Sequence, residues 1–131
     1  MLRIACIDSE ALPLFDLKDD QGNRVGYEPA AAKLVFDRIG EDFEWVYLNW
    51  EDMLPAVAGG EVDAVWCGQA ITEERARQVD FTEPYAIFDE TVITRAGRGI
   101  TEAEQLRGLK VGAIANSANM ALAETFDGAI L

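Results

Sequence analysis

Short apolar runs alternate along this chain with longer segments whose apolar residues recur at helical spacing. The apolar runs are rich in β-branched and aromatic side chains and predict strands; they cover residues 2–8, 43–49, 62–68, 88–95 and 109–115. The segments between them predict helices; they cover residues 29–39, 51–60, 72–79 and 116–126. Strands separated by helices indicate an α/β fold, with a mostly parallel sheet and helices on both faces.

Turn residues and prolines refine three of these elements. Residues 13–28 predict a hairpin that turns at residues 20–23. Pro29 suits the first turn of the helix that follows, and Pro55 must lie in or near the first turn of the next helix or it costs a hydrogen bond. One face of the first helix is expected to be buried; it carries Ala31, Leu34, Val35 and Ile39.

Length and charge exclude several classes of protein. The 131 residues suffice for a compact domain with a core, and a net charge of −13 argues against nucleic acid and anionic membrane surfaces as partners. The chain has no histidine, and neither a metal nor a cofactor is predicted. Cys6 and Cys67 fall inside predicted strands, which favours buried, small apolar side chains. No apolar run approaches a membrane span, and residues 1–10 lack the apolar core of a signal peptide.

In a parallel sheet covered by helices, ligands collect at the carboxyl ends of the strands. This rule selects three segments, residues 8–12, 68–75 and 116–119. Thr72 is a good helix N-cap, so one interpretation of the second segment is a capped surface helix with Arg75 paired to a neighbouring glutamate. The other is an anion site, because a helix N-terminus and an arginine fork both bind carboxylates. The residues alone leave both interpretations open.

Three further residues have a structural and a functional interpretation. Trp50, before a helix, suits packing or a ligand platform. Asp8 ends the first strand and suits a turn cap or an acceptor for a ligand ammonium. Ser117 opens the last helix, where N-capping explains it.

An ordered set of motifs runs through most of the chain. It is Trp50, Pro55-Ala56, Gly60, Asp63-Ala64, Gly68, Ile71-Thr72, Arg75, Asp80-Phe81-Thr82 and Pro84-Tyr85. Upstream, GYEPAAAKLVFDRIG (26–40) is a Gly-aromatic-acidic helix segment, and LKVGAIANSANMALAE (109–124) is a strand and helix. This set resembles the amino-acid-binding (family 3) extracellular solute-binding proteins of ABC transporters.

The resemblance implies a periplasmic-binding-protein-like (type II) lobe, one of two that close on an amino acid or a related carboxylate. Residues 1–95 are expected to form lobe one with the first hinge strand, and residues 96–131 a connector and the start of lobe two. An ABC-transporter permease is the implied partner, and the periplasm or the cell surface the implied location. The implied protein binds a solute and is not an enzyme.

The resemblance also assigns ligand contacts. Arg75 would hold the ligand carboxylate, assisted by backbone N–H groups near Ala70 and Thr72. The Gly68 carbonyl would take the ammonium, and Trp50 would pack on the ligand side chain.

From the second lobe, Ser117 and the Ala118 amide would touch the carboxylate. Three departures from the family pattern bear on this site. Ala70 stands where the family usually has Ser or Thr, residues 116–118 replace a glycine-threonine pair, and residues 10–12 hold no aromatic.

The family is much longer than this chain, which is expected to be lobe one plus a fragment of lobe two. An uncovered strand and helix at residues 109–126 predict self-association as a homodimer, and the alternative is a disordered tail on a monomeric lobe. The alternatives to a transport function are a truncated fragment that does not bind, and the sensor lobe of a signalling protein. A third is a dehydratase-like enzyme on this scaffold, with Asp8, Glu10 or Glu28 as its acid or base.

Overall fold

A computed structural model describes residues 1–11, 14–15 and 19–131 of the chain. They form two compact units, Met1–Glu83 and Pro84–Leu131. The first unit contains β1 (Leu2–Ile7), α1 (Tyr27–Ile39), β2 (Phe43–Leu48), a 3₁₀ turn (Trp50–Asp52), α2 (Met53–Ala58), β3 (Ala64–Val65) and α3 (Glu73–Ala76). The second unit contains a 3₁₀ turn (Ala103–Leu106) and α4 (Ala118–Ala123). No helix of the described ranges is long and apolar enough to cross a membrane.

The three strands form a parallel sheet in the order β2-β1-β3. β1 pairs along its whole length with β2, from Leu2 opposite Phe43 to Ile7 opposite Leu48. Its other edge pairs with β3 at Ala64 and Val65. The predicted parallel arrangement is therefore confirmed, and the carboxyl ends of all three strands lie at one edge of the sheet.

Helices cover both faces of this sheet, as the α/β pattern predicts. On one face Ile4 packs against Ala32 and Phe36 of α1. On the other face Ala5 packs against Ala56 of α2 and against Val62. Successive residues of β1 thus point into different cores, which explains why the whole strand is apolar.

A third cluster lies at the carboxyl ends of the strands. It consists of Cys6, Phe15, Met53 and Cys67, with Trp50 packed against it. Both cysteines are buried free thiols, which confirms the prediction that they are small core side chains. The loops that follow the strands therefore rest on a packed apolar layer.

The prediction of which face of α1 is buried is wrong. Leu34, Val35 and Ile39 are exposed, and α1 instead buries Pro29, Ala32 and Phe36. The Phe36 ring stacks on Phe43 at 4.4 Å between centroids, and this large contact area turns the helix toward its other apolar stripe.

Two predicted strands have no partner strand among the described residues. Residues 88–95 contain no strand, and the described chain provides no backbone hydrogen bond to residues 86–94; Ile87 and Ile93 are 96% and 94% exposed. Residues 109–115 make only one parallel bridge, between Lys110 and Ile130. Both predictions fail for the same reason: alternation defines two faces of a segment but does not supply the neighbour whose hydrogen bonds make it a strand.

The remaining differences are of length. The strand predicted at 62–68 is reduced to β3, and the helix predicted at 51–60 is divided between a 3₁₀ turn and α2. Pro55 is the third residue of α2, where its missing N–H removes no helical bond, as predicted. Residues 13 and 16–18 of the predicted hairpin lie outside the described residues; its turn is present, closed by a bond from Asp19 N to Asn23 O of 2.8 Å.

Candidate functional site

The site begins where the chain leaves β3. Gly68 has φ +59°, a left-handed conformation that glycine adopts without strain. A Cβ at this position would lie 3.7 Å from Oε1 of Glu28, a carboxylate buried in the first turn of α1. The strand therefore ends in a sharp turn that sends the backbone over the sheet edge toward α3.

Thr72 starts α3 in the manner predicted. Its backbone is extended, with φ −128° and ψ 153°, and its Oγ1 accepts a hydrogen bond of 3.2 Å from the N–H of Arg75. Glu73 and Glu74 follow in the first turn, where their charge complements the helix dipole. Because α3 has only four residues, this cap supplies much of its order.

Arg75 is the central residue of the site and is 9% exposed. Its Nη1 donates a hydrogen bond of 3.0 Å to the carbonyl of Ala70. Its guanidinium carbon lies 5.6 Å from the centroid of the Trp50 ring. The ion pair between neighbours on this helix is made by Arg77, with Glu73 at 3.9 Å. The backbone cap, the carbonyl and the ring together hold the guanidinium in one place.

Trp50 reaches this point because it lies two residues after the end of β2. It opens the 3₁₀ turn that leads into α2, and its half-buried ring packs against the cluster under the strand ends. A guanidinium beside an indole ring presents a flat cationic surface with five N–H donors. Such a surface recognises a carboxylate next to an apolar group.

The other residues of the first unit that are predicted to contact a ligand also lie just after the carboxyl ends of strands. Asp8 comes directly after β1 and is exposed, and Gly68 comes three residues after the end of β3. The structure brings Trp50, Ala70 and Arg75 together by direct contact. The contribution of each residue to ligand binding stays a prediction.

Sequence reasoning did not select Gln69 as a site residue. Its Nε2 lies 3.9 Å from the sulfur of Met53, and its buried Oε1 has no hydrogen-bond partner among the described residues. The only signal in the sequence was its place between Gly68 and Ala70. A buried polar group without a partner among the described residues makes Gln69 a candidate contact even though no motif includes it.

The two thiols beneath the candidate site, Cys6 and Cys67, are unreactive at neutral pH. Burial raises the pKa of Cys6 to about 12 and the pKa of Cys67 to about 11. At neutral pH both are protonated and are poor nucleophiles. Their arrangement supports packing rather than covalent chemistry.

Ser117 and Ala118 lie in the second unit. Ser117 is the N-cap of α4: its Oγ accepts from Met120 N at 3.2 Å and donates to Ile114 O at 2.6 Å. Asn116 before it has φ 57°, a left-handed conformation that asparagine tolerates. Ala118 is the first residue of α4. The capping role of Ser117 is confirmed, and its contact with a ligand stays a prediction.

Comparison with known proteins finds matches in both sequence and fold. The sequence profile of the bacterial extracellular solute-binding proteins, family 3, matches residues 4–131. The L-arginine-binding protein of Pseudomonas aeruginosa is 27% identical over 108 residues, which are 82% of this chain and 42% of that protein.

Two solved structures share the fold over 98% of this chain and 58% of their own. An ancestral arginine-binding protein bound to arginine has a TM-score of 0.79 at 30% identity. An ancestral amino-acid-binding protein described as a precursor of cyclohexadienyl dehydratase has a TM-score of 0.87 at 28% identity. The predicted fold class is confirmed. The chain spans about two fifths of the length of the Pseudomonas relative and somewhat over half of these structures.

Proposed function

Because the chain belongs to the bacterial extracellular solute-binding proteins of family 3, we propose that it binds an amino acid for uptake by an ABC transporter. The observation that carries this proposal is the buried Arg75, held at the strand ends by the Ala70 carbonyl and the Trp50 ring. An arginine placed in this way has the geometry for a carboxylate, which every amino acid carries.

The neighbouring groups suit the rest of an α-amino acid. The Gly68 carbonyl and the Asp8 carboxylate are acceptors for the ammonium group, and the Trp50 ring is a surface for the side chain. Backbone N–H groups near Ala70 and Thr72 add donors for the carboxylate. L-Arginine is the first ligand to test, because relatives of this chain are named for arginine binding.

A thermal-shift screen of the twenty amino acids tests the proposal. At least one is expected to raise the melting temperature in proportion to the logarithm of its concentration. The proposal fails if none does so at millimolar concentration. In that case the chain is a piece of the fold that does not bind by itself.

The role of Arg75 is tested by a matched pair of variants on the same helix. Arg75→Met is expected to weaken ligand binding by about 2–4 kcal/mol, because the carboxylate loses a buried charged donor. Arg77→Met removes an exposed arginine that pairs with Glu73, so it is expected to leave the affinity unchanged. Equal affinity in both variants would remove Arg75 from the binding site.

Trp50 provides a direct optical signal. Ligand addition is expected to change the tryptophan fluorescence, and Trp50→Phe is expected to abolish most of the change. Trp45 and Trp66 remain in that variant and serve as its internal reference. A ligand-induced change that survives the substitution would assign the signal to one of them.

The proposed partner is the permease of an ABC transporter, and the proposed location is the periplasm or the outer face of the cell. Deletion of the gene is expected to lower uptake of the amino acid that stabilises the protein. Cell fractionation then places the protein on the side of the membrane from which uptake proceeds. Unchanged uptake in the deletion strain would argue against the transport role.

We also propose that the chain associates with a second copy through residues 109–126. Within this segment Ile114 is exposed, and among the described residues the segment makes a single bridge, between Lys110 and Ile130. Sedimentation at micromolar concentration is expected to give a dimer that Ile114→Glu dissociates. A monomeric parent chain would refute this part.

One comparison favours a second candidate, a dehydratase acting on a cyclohexadienyl acid. The structure with a TM-score of 0.87 is described as a precursor of such an enzyme. Of the carboxylates proposed as acid or base, Asp8 and Glu10 are exposed and Glu28 is buried. Turnover of the substrate that Asp8→Asn abolishes would support this candidate, and lack of turnover by the parent chain would dismiss it.

A further inference from the structure

A second concave surface lies in the first unit, between α1 and the outer edge of β2. It is a groove of about 420 Å³, within the usual range of small-molecule sites. One wall is a stripe of α1 and the floor is one face of β2. The described lining residues are Gly22, Asn23, Arg24, Pro29, Lys33, Phe36, Asp37, Glu41, Asp42, Phe43, Trp45 and Tyr47. Arg75, Trp50 and the loop between Gly68 and Thr72 do not belong to it.

Arg24 occupies one end of this groove and is only 8% exposed. Its guanidinium carbon lies 4.4 Å from the Phe15 ring centroid, 5.8 Å from that of Trp45 and 5.6 Å from that of Tyr47. Nη1 donates a hydrogen bond of 3.1 Å to the carbonyl of Ile7. Three rings and one carbonyl therefore surround a buried positive charge.

The second terminal nitrogen of Arg24 differs from the first. Nη2 is buried and has no hydrogen-bond partner in the part of the chain that the structure describes. A buried charged donor without an acceptor is unfavourable, and neighbouring rings compensate only in part. An anion at this end of the groove would satisfy the donor and neutralise the charge.

The remaining lining of the groove indicates which kind of anion would fit there. Trp45 meets Phe43 edge to face at 5.2 Å, and Phe43 stacks on Phe36 at 4.4 Å, so the floor is a continuous aromatic surface. Lys33 in the wall is paired with Asp37 at 2.8 Å, and Glu41 and Asp42 lie farther along. These acidic residues and the chain's net charge of −13 disfavour polyanions.

We propose that this groove is a second binding site, for a small monocarboxylate with a flat apolar body. The carboxylate pairs with the Arg24 fork, and the body lies on Trp45 and Phe43. Of the three rings around the guanidinium, Tyr47 is the most exposed, at 37%. In the proposed complex the Tyr47 ring turns aside, which costs little at a surface position, and packs against the ligand, so that the carboxylate reaches Nη2. The site does not depend on the proposed amino-acid site at Arg75.

Chemical-shift mapping of the ¹⁵N-labelled chain with sodium benzoate tests the proposal. Benzyl alcohol, which has the same ring but no charge, is the control compound. Benzoate is expected to move the amide signals of Arg24, Trp45 and Tyr47 together with the Trp45 indole signal. Benzyl alcohol is expected to bind at least about tenfold more weakly, because it cannot pair with the guanidinium.

Variants assign the effect to one site. Arg24→Gln is expected to weaken the benzoate binding that the Trp45 and Tyr47 signals report about tenfold or more, whereas Arg75→Gln is expected to leave the affinity read from these signals within about twofold. Tyr47→Ser removes only an exposed ring and serves if Arg24→Gln does not fold; it is expected to weaken binding about threefold. Shifts confined to residues 68–75, or benzoate affinity that neither Arg24→Gln nor Tyr47→Ser changes, would overturn the second site.

Discussion

Replacing Thr72 with valine removes one hydroxyl group and leaves the shape of the side chain nearly unchanged. That hydroxyl accepts the hydrogen bond of 3.2 Å from Arg75 N that starts α3. Loss of such a cap costs about 1 kcal/mol, within a range of about 0.5–2 kcal/mol. The upper part of this range is expected here, because a four-residue helix has few other bonds to hold its first turn.

Urea denaturation followed by tryptophan fluorescence measures this cost in the first compact unit, which contains α3. Trp45, Trp50 and Trp66 are the three tryptophans of the chain, and all lie within Met1–Glu83. With a typical denaturant slope of about 2 kcal/mol per M, a loss of about 1–2 kcal/mol lowers the midpoint by about 0.5–1 M. The slope itself is expected to stay unchanged, because the substitution alters no large surface.

Thr72→Ser is the matched control, since it keeps the hydroxyl and removes only the methyl group. It is expected to retain nearly all of the stability. A Thr72→Val midpoint equal to that of the parent would refute the cap as a source of stability. A loss in Thr72→Ser as large as the loss in Thr72→Val would contradict the hydrogen bond as the main source of the effect, because Thr72→Ser keeps the hydroxyl group.

Three further substitutions or conditions test other parts of the fold. Met53→Ala is expected to destabilise the first unit by about 2–5 kcal/mol in the same urea assay, because Met53 is fully buried; Leu34→Ala, at an exposed position of α1, should cost less than about 1 kcal/mol. Gly26→Ala should destabilise more than Gly22→Ala: both residues have positive φ, but only at Gly26 would the new Cβ meet backbone, at 2.7 Å from Phe15 Cα. Burial raises the pKa of Cys6 to about 12 and of Cys67 to about 11, from an ordinary 9.0, so the stability contributed by the neutral thiols is present below pH 9 and is lost as the pH rises toward 11–12. Thermal melts of the parent and of a Cys6→Ala/Cys67→Ala variant at pH 8 and pH 10 measure that loss, and an equal pH dependence of the two proteins would contradict it.

The sequence by itself determined the features that depend on near neighbours along the chain. The apolar runs at the start of the chain and after Gly40 became β1 and β2, and Thr72 capped α3, because strand propensity and capping act within a few residues. The ordered motifs from Trp50 to Tyr85 indicated the family in the same way, since a motif is itself a pattern along the chain.

Only the tertiary structure decided which of several locally acceptable arrangements was realised. α1 has two apolar stripes, and the stacking of Phe36 on Phe43 selected the one that is buried. The alternating segment at 88–95 is not a strand, because the described chain offers it no hydrogen-bonded neighbour. Arg24 was one of many charged residues until the fold placed aromatic rings and a carbonyl around its guanidinium. For Arg75, which the motifs had already selected, the fold supplied the Ala70 carbonyl and the Trp50 ring. These outcomes depend on contacts between residues far apart in the chain, and periodicity along one segment carries no information about the partner that the segment will meet.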